Sequence, residues 1–363
     1  MITVFTPSFA DEGDTNAQNL SVKEIVARLD STRFAVTMLC EGEADPRIAA
    51  RPNTRLLRWR RHGNTVRVML HLLSNVPDIY FFPREGPLDA AFLTARRRLF
   101  LKSAVVSYVV SGGLYLGAYP PARVRHIREA DAVIANNSYL AELLQERMGI
   151  EASGIVHDGI DRRYSFPPEH RRATSREDVL VLCAGSLRPY KRVSLVVQHA
   201  ARWPAVRFRI AGVGEEEQLL RDLAAELGCR NIEFLGHLTQ SQLGDQMRKA
   251  DIFFFPSVVE GHPQVLLQAA ASGLPIIAMR IYRPDGVVDG KTGFLASTDN
   301  ELSLRLGELI QQPETRWAMG DAAVIHAQRF DWDRITRQWQ ETFEQVLAKR
   351  RNLMNDAIGG TPL

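Results

Sequence analysis

Three segments in the second half of the chain hold residue types suited to binding and activating a phosphorylated ligand. The first, AGSLRPYKR at 184–192, sets Arg188, Lys191 and Arg192 behind the small residues Gly185 and Ser186, directly after an apolar run. Three cations at a strand end suit a polyphosphate, although a basic loop that only faces water has the same composition. The second, AGVGEEEQLL at 211–220, places Gly212 and Gly214 at a tight strand-to-helix turn. It lacks the third glycine of a dinucleotide fingerprint, and Glu215, Glu216 and Glu217 read as acids of a helix first turn.

The third segment, PSVVEGHPQVLLQAAASGLPIIA at 256–278, is the most specific. Pro263 suits the first position of a helix, where its missing N–H costs nothing. The amides of His262, Gln264 and Val265 then point out of the helix start and make an anion site. Glu260 beside it can accept hydrogen bonds from sugar hydroxyls, and Gln268, farther along the helix, can reach a ribose. Taken singly, His262 reads as a packed loop side chain and Gln268 as a polar helix residue.

These segments need strands and helices to hold them. Apolar runs alternate with helix-period stretches from end to end, the pattern of βα units around parallel sheets. In the first half the runs predict strands at 2–7, 34–39, 78–82, 104–109 and 132–135, with helices at 19–29 and 138–148. In the second half they predict strands at 179–184, 206–211, 232–236, 251–256 and 275–279. Most are apolar without alternation, as when helices cover both sheet faces. The segment 158–178, with two prolines and many charges, reads as a linker. The stretch from Asp331 reads as one long amphipathic helix with Asp331 as its N-cap, and 353–363 as a frayed tail. The expected architecture is α/β: an N-terminal domain over 1–165 joined by a helix at 333–352 crossing back, and a C-terminal domain over 166–332. Two doubly wound domains facing a central cleft would place ligands outside the carboxyl ends of the strands.

A length of 363 residues, with 45% hydrophobic and 24% charged residues, is that of a two-domain globular chain and excludes disorder or low complexity. No stretch is apolar enough to span a bilayer, and the start lacks the features of a secretory signal, so a cytoplasmic place is expected. Cys40, Cys183 and Cys229 are scattered without ligand spacing and read as reduced thiols. A net charge of +3 implies no nucleic acid, but 51–128 carries 14 Lys and Arg against three acids, a local +11. Arginine is interleaved there with Leu, Phe and Trp, which fits an anionic membrane surface, a phosphorylated substrate, or a solvated face whose arginines pair elsewhere.

The C-terminal half resembles the family 4 retaining glycosyltransferases of the GT-B fold, whose two Rossmann-like domains face a cleft. The likeness runs through DGIDRRYSFPP, GSLRPYKR, GVGEEEQLL, NIEFLGHLTQSQL, ADIFFFPSVVEGHPQVLLQAAASGLP, DGKTGFL and RFDW, over 158–332. ADAVIANNSYLAELL at 130–144 is similar to the segment that closes the family's N-terminal domain. The resemblance implies that Lys191, with Arg192 or Arg188, contacts a donor diphosphate, and that Gly185, Ser186, Gly212 and Gly214 belong to the donor loops. It implies that Glu260 and the following Gly261, His262, Pro263, Gln264 and Val265 hold the donor sugar and phosphate. Gly236, His237 and Leu238 lie where the family places the nucleobase.

Several positions depart from the family pattern. The family's second carboxylate is Gln268 here, and the arginine usual after the first glycine of the phosphate loop is Ser186. On the acceptor side Gly13 stands alone where a glycine pair is common, near Asn16. SYVVSGG, with Ser111 and Gly112, holds no histidine, and His126 comes a few turns later. By resemblance, the reaction keeps the anomeric configuration, takes a nucleoside-diphosphate sugar as substrate with no cofactor or metal, and glycosylates a glycan or lipid-linked glycan. Asp331 and Asp333 form the one Asp-x-Asp and read as helix capping rather than metal ligation. The alternative is a catalytically idle subunit that keeps the nucleotide-sugar cleft and acts through a partner.

Overall fold

A computed structural model describes residues 1–12, 17–59, 64–84, 86–110, 120–169 and 179–359. The chain divides into two units, Met1–Asp158 with Trp332–Leu363, and Gly159–Asp331.

In the first unit, β1 (Ile2–Phe9), α1 (Ala17–Arg28), β2 (Phe34–Cys40), α2 (Pro46–Ala49), β3 (Thr54–Arg58), α3 (Asn64–Ser74) and β4 (Ile79–Phe81) are followed by α4 (Pro87–Arg98), β5 (Ala104–Val109), α5 (Pro121–Arg128), β6 (Ala132–Ala135), α6 (Ser138–Met148) and β7 (Gly154–Ile155). The seven strands are parallel in the order β3-β2-β1-β4-β5-β6-β7. Within the basic stretch 51–128, Thr54–Arg58 forms β3 at the edge of this sheet.

The second unit runs β8 (Leu180–Ala184), α7 (Ser194–Arg202), β9 (Arg207–Ala211), α8 (Glu217–Glu226), β10 (Ile232–Gly236), α9 (Gln240–Lys249), β11 (Ile252–Phe255), α10 (Gln264–Ala271), β12 (Ile276–Met279), β13 (Gly293–Ala296), α11 (Asp299–Gln311) and α12 (Pro313–Ala327). Its six parallel strands take the order β10-β9-β8-β11-β12-β13. The order reverses between β8 and β11, so the connections after these two neighbours leave toward opposite faces and open a crevice at their carboxyl ends. AGSLRPYKR follows β8 and PSVVEGHPQ follows β11, one on each side of that point.

The last helix, α13 (Trp332–Gly359), belongs to the first unit and continues past residue 352. Asp331 precedes it in extended conformation, and Asp333 pairs with Arg28 at 3.3 Å. Trp339 is fully buried, 4.9 Å from the Phe81 ring and 4.8 Å from that of Tyr108. Together α1 and α13 cover one sheet face through Phe34, Val36, Phe81 and Phe343, while α3 and α4 cover the other through Phe5, Tyr80 and Phe92.

Much of the basic stretch serves the fold. Arg51 donates to the carbonyls of Leu29 and Phe34 at 2.9 Å each, and Arg96 binds both oxygens of Asp131 at 2.8 and 2.6 Å. Arg123, 4% exposed, donates to the carbonyls of Pro83 and Tyr108. A guanidinium with five fixed donors suits such carbonyl clusters where strands end. The three cysteines are free thiols.

His199 on α7 is buried edge-on against Phe254, with Nε2 3.3 Å from the Ser303 hydroxyl. Burial, aided by Arg202 and opposed by Asp299, lowers its pKa from 6.5 to about 4. The unfolded chain therefore binds the extra proton between these values, and the contribution present above the unfolded value is lost as pH falls. Thermal unfolding followed from pH 7 to pH 4 is expected to show a loss of about 2–3 kcal/mol from this group, absent in His199→Gln.

Candidate functional site

The crevice at the β8–β11 reversal is built first by backbone. Gly185 N–H donates to the Ala211 carbonyl at 2.9 Å, Gly212 N–H to Gly236 at 2.8 Å, and Leu187 N–H to Val213 at 3.0 Å, stitching together the ends of β8, β9 and β10. A Cβ on Gly212 would stand 1.8 Å from the Gly185 oxygen, and one on Gly214 2.3 Å from the Leu187 oxygen. The glycines are thus set by the approach of one loop to the next, in addition to the turn that the sequence suggests. Glu216 stands just before α8 and Glu217 opens it, pairing with Arg221 at 2.9 Å.

Past Leu187 the chain makes one 3-10 turn, Pro189–Lys191, and Arg192 closes it in the left-handed region at φ 52°. The Tyr190 carbonyl accepts from Val258 N–H at 3.0 Å, tying this turn to the loop after β11. Lys191 Nζ then meets Glu260 Oε1 at 2.5 Å, with the two side chains 14% and 10% exposed. The same ammonium lies 5.2 Å from the Phe255 ring centre and 5.6 Å from that of Tyr190, within range of a cation–π attraction. Arg192 turns elsewhere: it pairs with Asp299 at the start of α11 at 2.5 Å and reaches the Met279 sulfur at 4.0 Å. Arg188 is exposed.

Helix α10 starts one residue later than its sequence suggests. Pro263 is the cap, at φ −69° and ψ 98°, and its carbonyl accepts from Leu266 N–H at 3.0 Å. Its ring sets φ, but its ψ is extended, so the first helical amides are those of Gln264 and Val265. Gln268 follows Gln264 by four residues and shares its face. Gln268 Nε2 donates to Gln240 Oε1 at 2.7 Å. Gln240 opens α9 behind Thr239, whose hydroxyl accepts from Gln242 N–H at 3.3 Å.

A cleft of about 380 Å³ brings together Gly185, Ser186, Gly212, His237, Leu238, Gln264, Val265 and Gln268, and adds Gln240 to them. Lys191 and Glu260 stand on the loops leaving the same two strands. His262 lies 6.1 Å from the Phe330 ring, as a packed loop side chain does. Of the acceptor-side candidates, Gly13, Asn16, Ser111 and Gly112 lie outside the described residues. His126 is 2% exposed, with Nδ1 on the Arg84 carbonyl, so it fixes a loop instead of facing a ligand.

Three site residues escape sequence reasoning. Gln240 is signalled only by the capping pattern Thr239-x-x-Gln242, which fixes where α9 begins. Asp299, partner of Arg192, lies 107 residues away along the chain. Tyr282, buried just after β12, has its hydroxyl held well above its ordinary pKa by burial and then by the charge of Glu260.

Two doubly wound parallel units of this topology define the GT-B fold class. Residues 167–325 match the family described as Glycosyl transferases group 1. The chain is 30% identical over 265 residues to a D-inositol 3-phosphate glycosyltransferase of Streptomyces scabiei, covering 64% of this chain and 58% of the relative. It is 31% identical over 242 residues to the protein of that name in Kribbella flavida, covering 59% and 57%. The chain thus matches less than two thirds of the length of these relatives. Among solved structures, sucrose-phosphate synthase from Thermosynechococcus elongatus superposes with a TM-score of 0.79 at 16% identity, over 96% of this chain and 100% of that one. HepE from Anabaena, in complex with UDP-glucose, gives 0.74 at 17% identity over 95% and 100%.

Gly212→Ala is expected to lower stability by more than about 3 kcal/mol, because two backbones must separate. Gly228→Ala, at φ +66° but with nothing within 4 Å of the added atom, should cost about 1–2 kcal/mol. Thermal denaturation of the two variants checks the difference.

Proposed function

We propose that the chain is a retaining glycosyltransferase that moves a sugar from a nucleoside-diphosphate sugar to a glycan or lipid-linked glycan. The observation that carries this reading is the meeting of Lys191 and Glu260 beside the start of α10, at the reversal point of a doubly wound sheet. The relatives, which are D-inositol 3-phosphate glycosyltransferases, and the UDP-glucose bound to HepE support a nucleotide-sugar donor.

In this reading the base lies by His237 and Leu238 and the ribose by Gln268. The diphosphate meets Lys191, Arg188 and the amides that open α10. Lys191 carries three N–H donors, one engaged by Glu260, and the others are for phosphate oxygens. As the bond from the anomeric carbon to the phosphate oxygen breaks, negative charge grows on the diphosphate and positive charge on the sugar ring. Donors fixed beforehand stabilise that separation more than they stabilise the ground state. The acceptor oxygen attacks from the same face, its proton passes to the departing phosphate oxygen, and the configuration is retained. The reaction so written routes no step through a metal ion.

A lipid-linked acceptor implies work at the cytoplasmic membrane surface, and the cations of 51–128 that stay exposed, such as Arg67, Arg98 and Lys102, support that place. Among the described residues, no helix is long and apolar enough to cross a membrane.

Donor hydrolysis and transfer, measured with a panel of nucleotide sugars, test the reading. Lys191→Ala is expected to lower kcat by about a hundredfold or more, and NMR of the product should show the donor's anomeric configuration kept. Nucleotide-sugar binding by the wild type without any turnover would favour the idle subunit.

A further inference from the structure

Helix α3 is apolar on two opposite sides. Asn64, Val68 and Leu72 face the core, and Val66 and Leu70, 66% and 62% exposed, face away together with Leu73. A surface helix normally hydrates its outer side. Helix α4 packs against α3 and ends in a turn that bares Leu99 and Phe100, the latter 86% exposed. Phe100 is held at φ 52°, a left-handed position that a bulky side chain seldom takes. Each helix connects parallel strands of one sheet, so both run against the strands and their last turns lie at the edge where the strands begin. That brings Leu73 and Val76 toward Leu99 and Phe100. Six of the sixteen large exposed apolar residues among the described ones fall between Val66 and Phe100. Such a concentration marks an interaction surface.

Charge decides the occupant. The exposed residues of 64–102, among those described, include Arg67, Arg97, Arg98 and Lys102 and no acid. Arg97 pairs with Glu129 at 3.2 Å. A second copy docked symmetrically would set these cations against themselves. An anionic surface meets them instead.

We propose that α3 and the turn after α4 form a face that inserts shallowly into an anionic lipid bilayer. Leu70 and Phe100 enter the acyl boundary, and Arg67, Arg98 and Lys102 meet headgroup phosphates. The inference rests on the membrane-surface part of the proposed function and replaces a diffuse basic stretch with one defined face.

The test is co-sedimentation of the full chain with phosphatidylcholine vesicles, with and without phosphatidylglycerol. The wild type is expected to bind the anionic vesicles, less so at high salt. Leu70→Asp with Phe100→Asp should lower the partition coefficient by about tenfold or more at unchanged melting temperature. Arg98→Glu with Lys102→Glu should weaken binding only where phosphatidylglycerol is present. Wild-type binding that the apolar double variant keeps would overturn this face while leaving membrane association standing. No binding by the wild type would overturn both. A wild-type dimer in sedimentation velocity that the double variant abolishes, without vesicle binding, would assign the face to a second copy. None of these readouts depends on sugar transfer.

Discussion

The ion pair between Lys191 and Glu260 joins two loops that the sheet topology sends apart. β8 and β11 are neighbours, but the chain leaves them toward opposite faces, so nothing in the sheet itself fixes the distance between their loops. The backbone hydrogen bond from Val258 to the Tyr190 carbonyl at 3.0 Å, the Ser257 hydroxyl on the same carbonyl at 3.4 Å and this ion pair do so. Removing water from two charges is costly, and attraction repays it only with good geometry and further partners. The Phe255 and Tyr190 rings, whose faces attract a cation, are such partners for the ammonium. Glu260 also keeps the lysine from standing alone as a desolvated charge, while leaving it hydrogens for a second anion. The pair is therefore a structural tie between the two loops, and the proposed function asks the same lysine to meet a phosphate as well.

The first unit shows a related dependence on residues far apart in the chain. Its sheet is built by residues 2–155, yet one face of that sheet is closed by α13, after the whole second unit has been made. Trp339, Phe343 and Ile335 are almost wholly buried, and each large apolar side chain so placed contributes about 1.5–3 kcal/mol. Their sum is comparable to the net stability of an ordinary domain. The first unit therefore completes its core only with the last helix of the chain.

Where both faces of a strand are covered, local sequence carries the signal: the strands at 104–109 and 132–135 are legible to the residue, as is the helix at 138–148. Of the four edge strands, β10 at 232–236 is equally legible, while β3, β7 and β13 are not. β3 sets Arg55 and Arg58 on either side of Leu56 and Leu57 within the basic stretch, because an edge position tolerates charge that a central one excludes. The arginines misled for a second reason. Arg51 and Arg123 look like solvent-facing charge in sequence, yet they occupy carbonyl clusters that exist only once strands from distant segments are paired. The same limit explains the site. Glycines, Lys191 and Glu260 were visible from type and spacing, whereas Asp299 as the partner of Arg192, Gln240 as the partner of Gln268, and the burial of His126 depend on contacts that spacing does not encode.

Gln268 shows how such a contact changes the chemistry of a familiar position. A carboxylate there would accept two hydrogen bonds from a sugar diol and bring a negative charge near the diphosphate. The amide brings no charge, and it is already bonded to Gln240 at 2.7 Å. One hydrogen bond joins the two amides, so the pair keeps one whole carbonyl as acceptor and one whole NH2 as donor for other groups. That remains true whichever amide donates. A vicinal diol, with one hydroxyl donating and one accepting, matches this pattern, though each bond is weaker than a charge-assisted one. With an amide at 268 in place of a second carboxylate, Glu260 is the acid that meets the charge of Lys191, and no further negative charge is added at the start of α9 and α10 by this pair of amides.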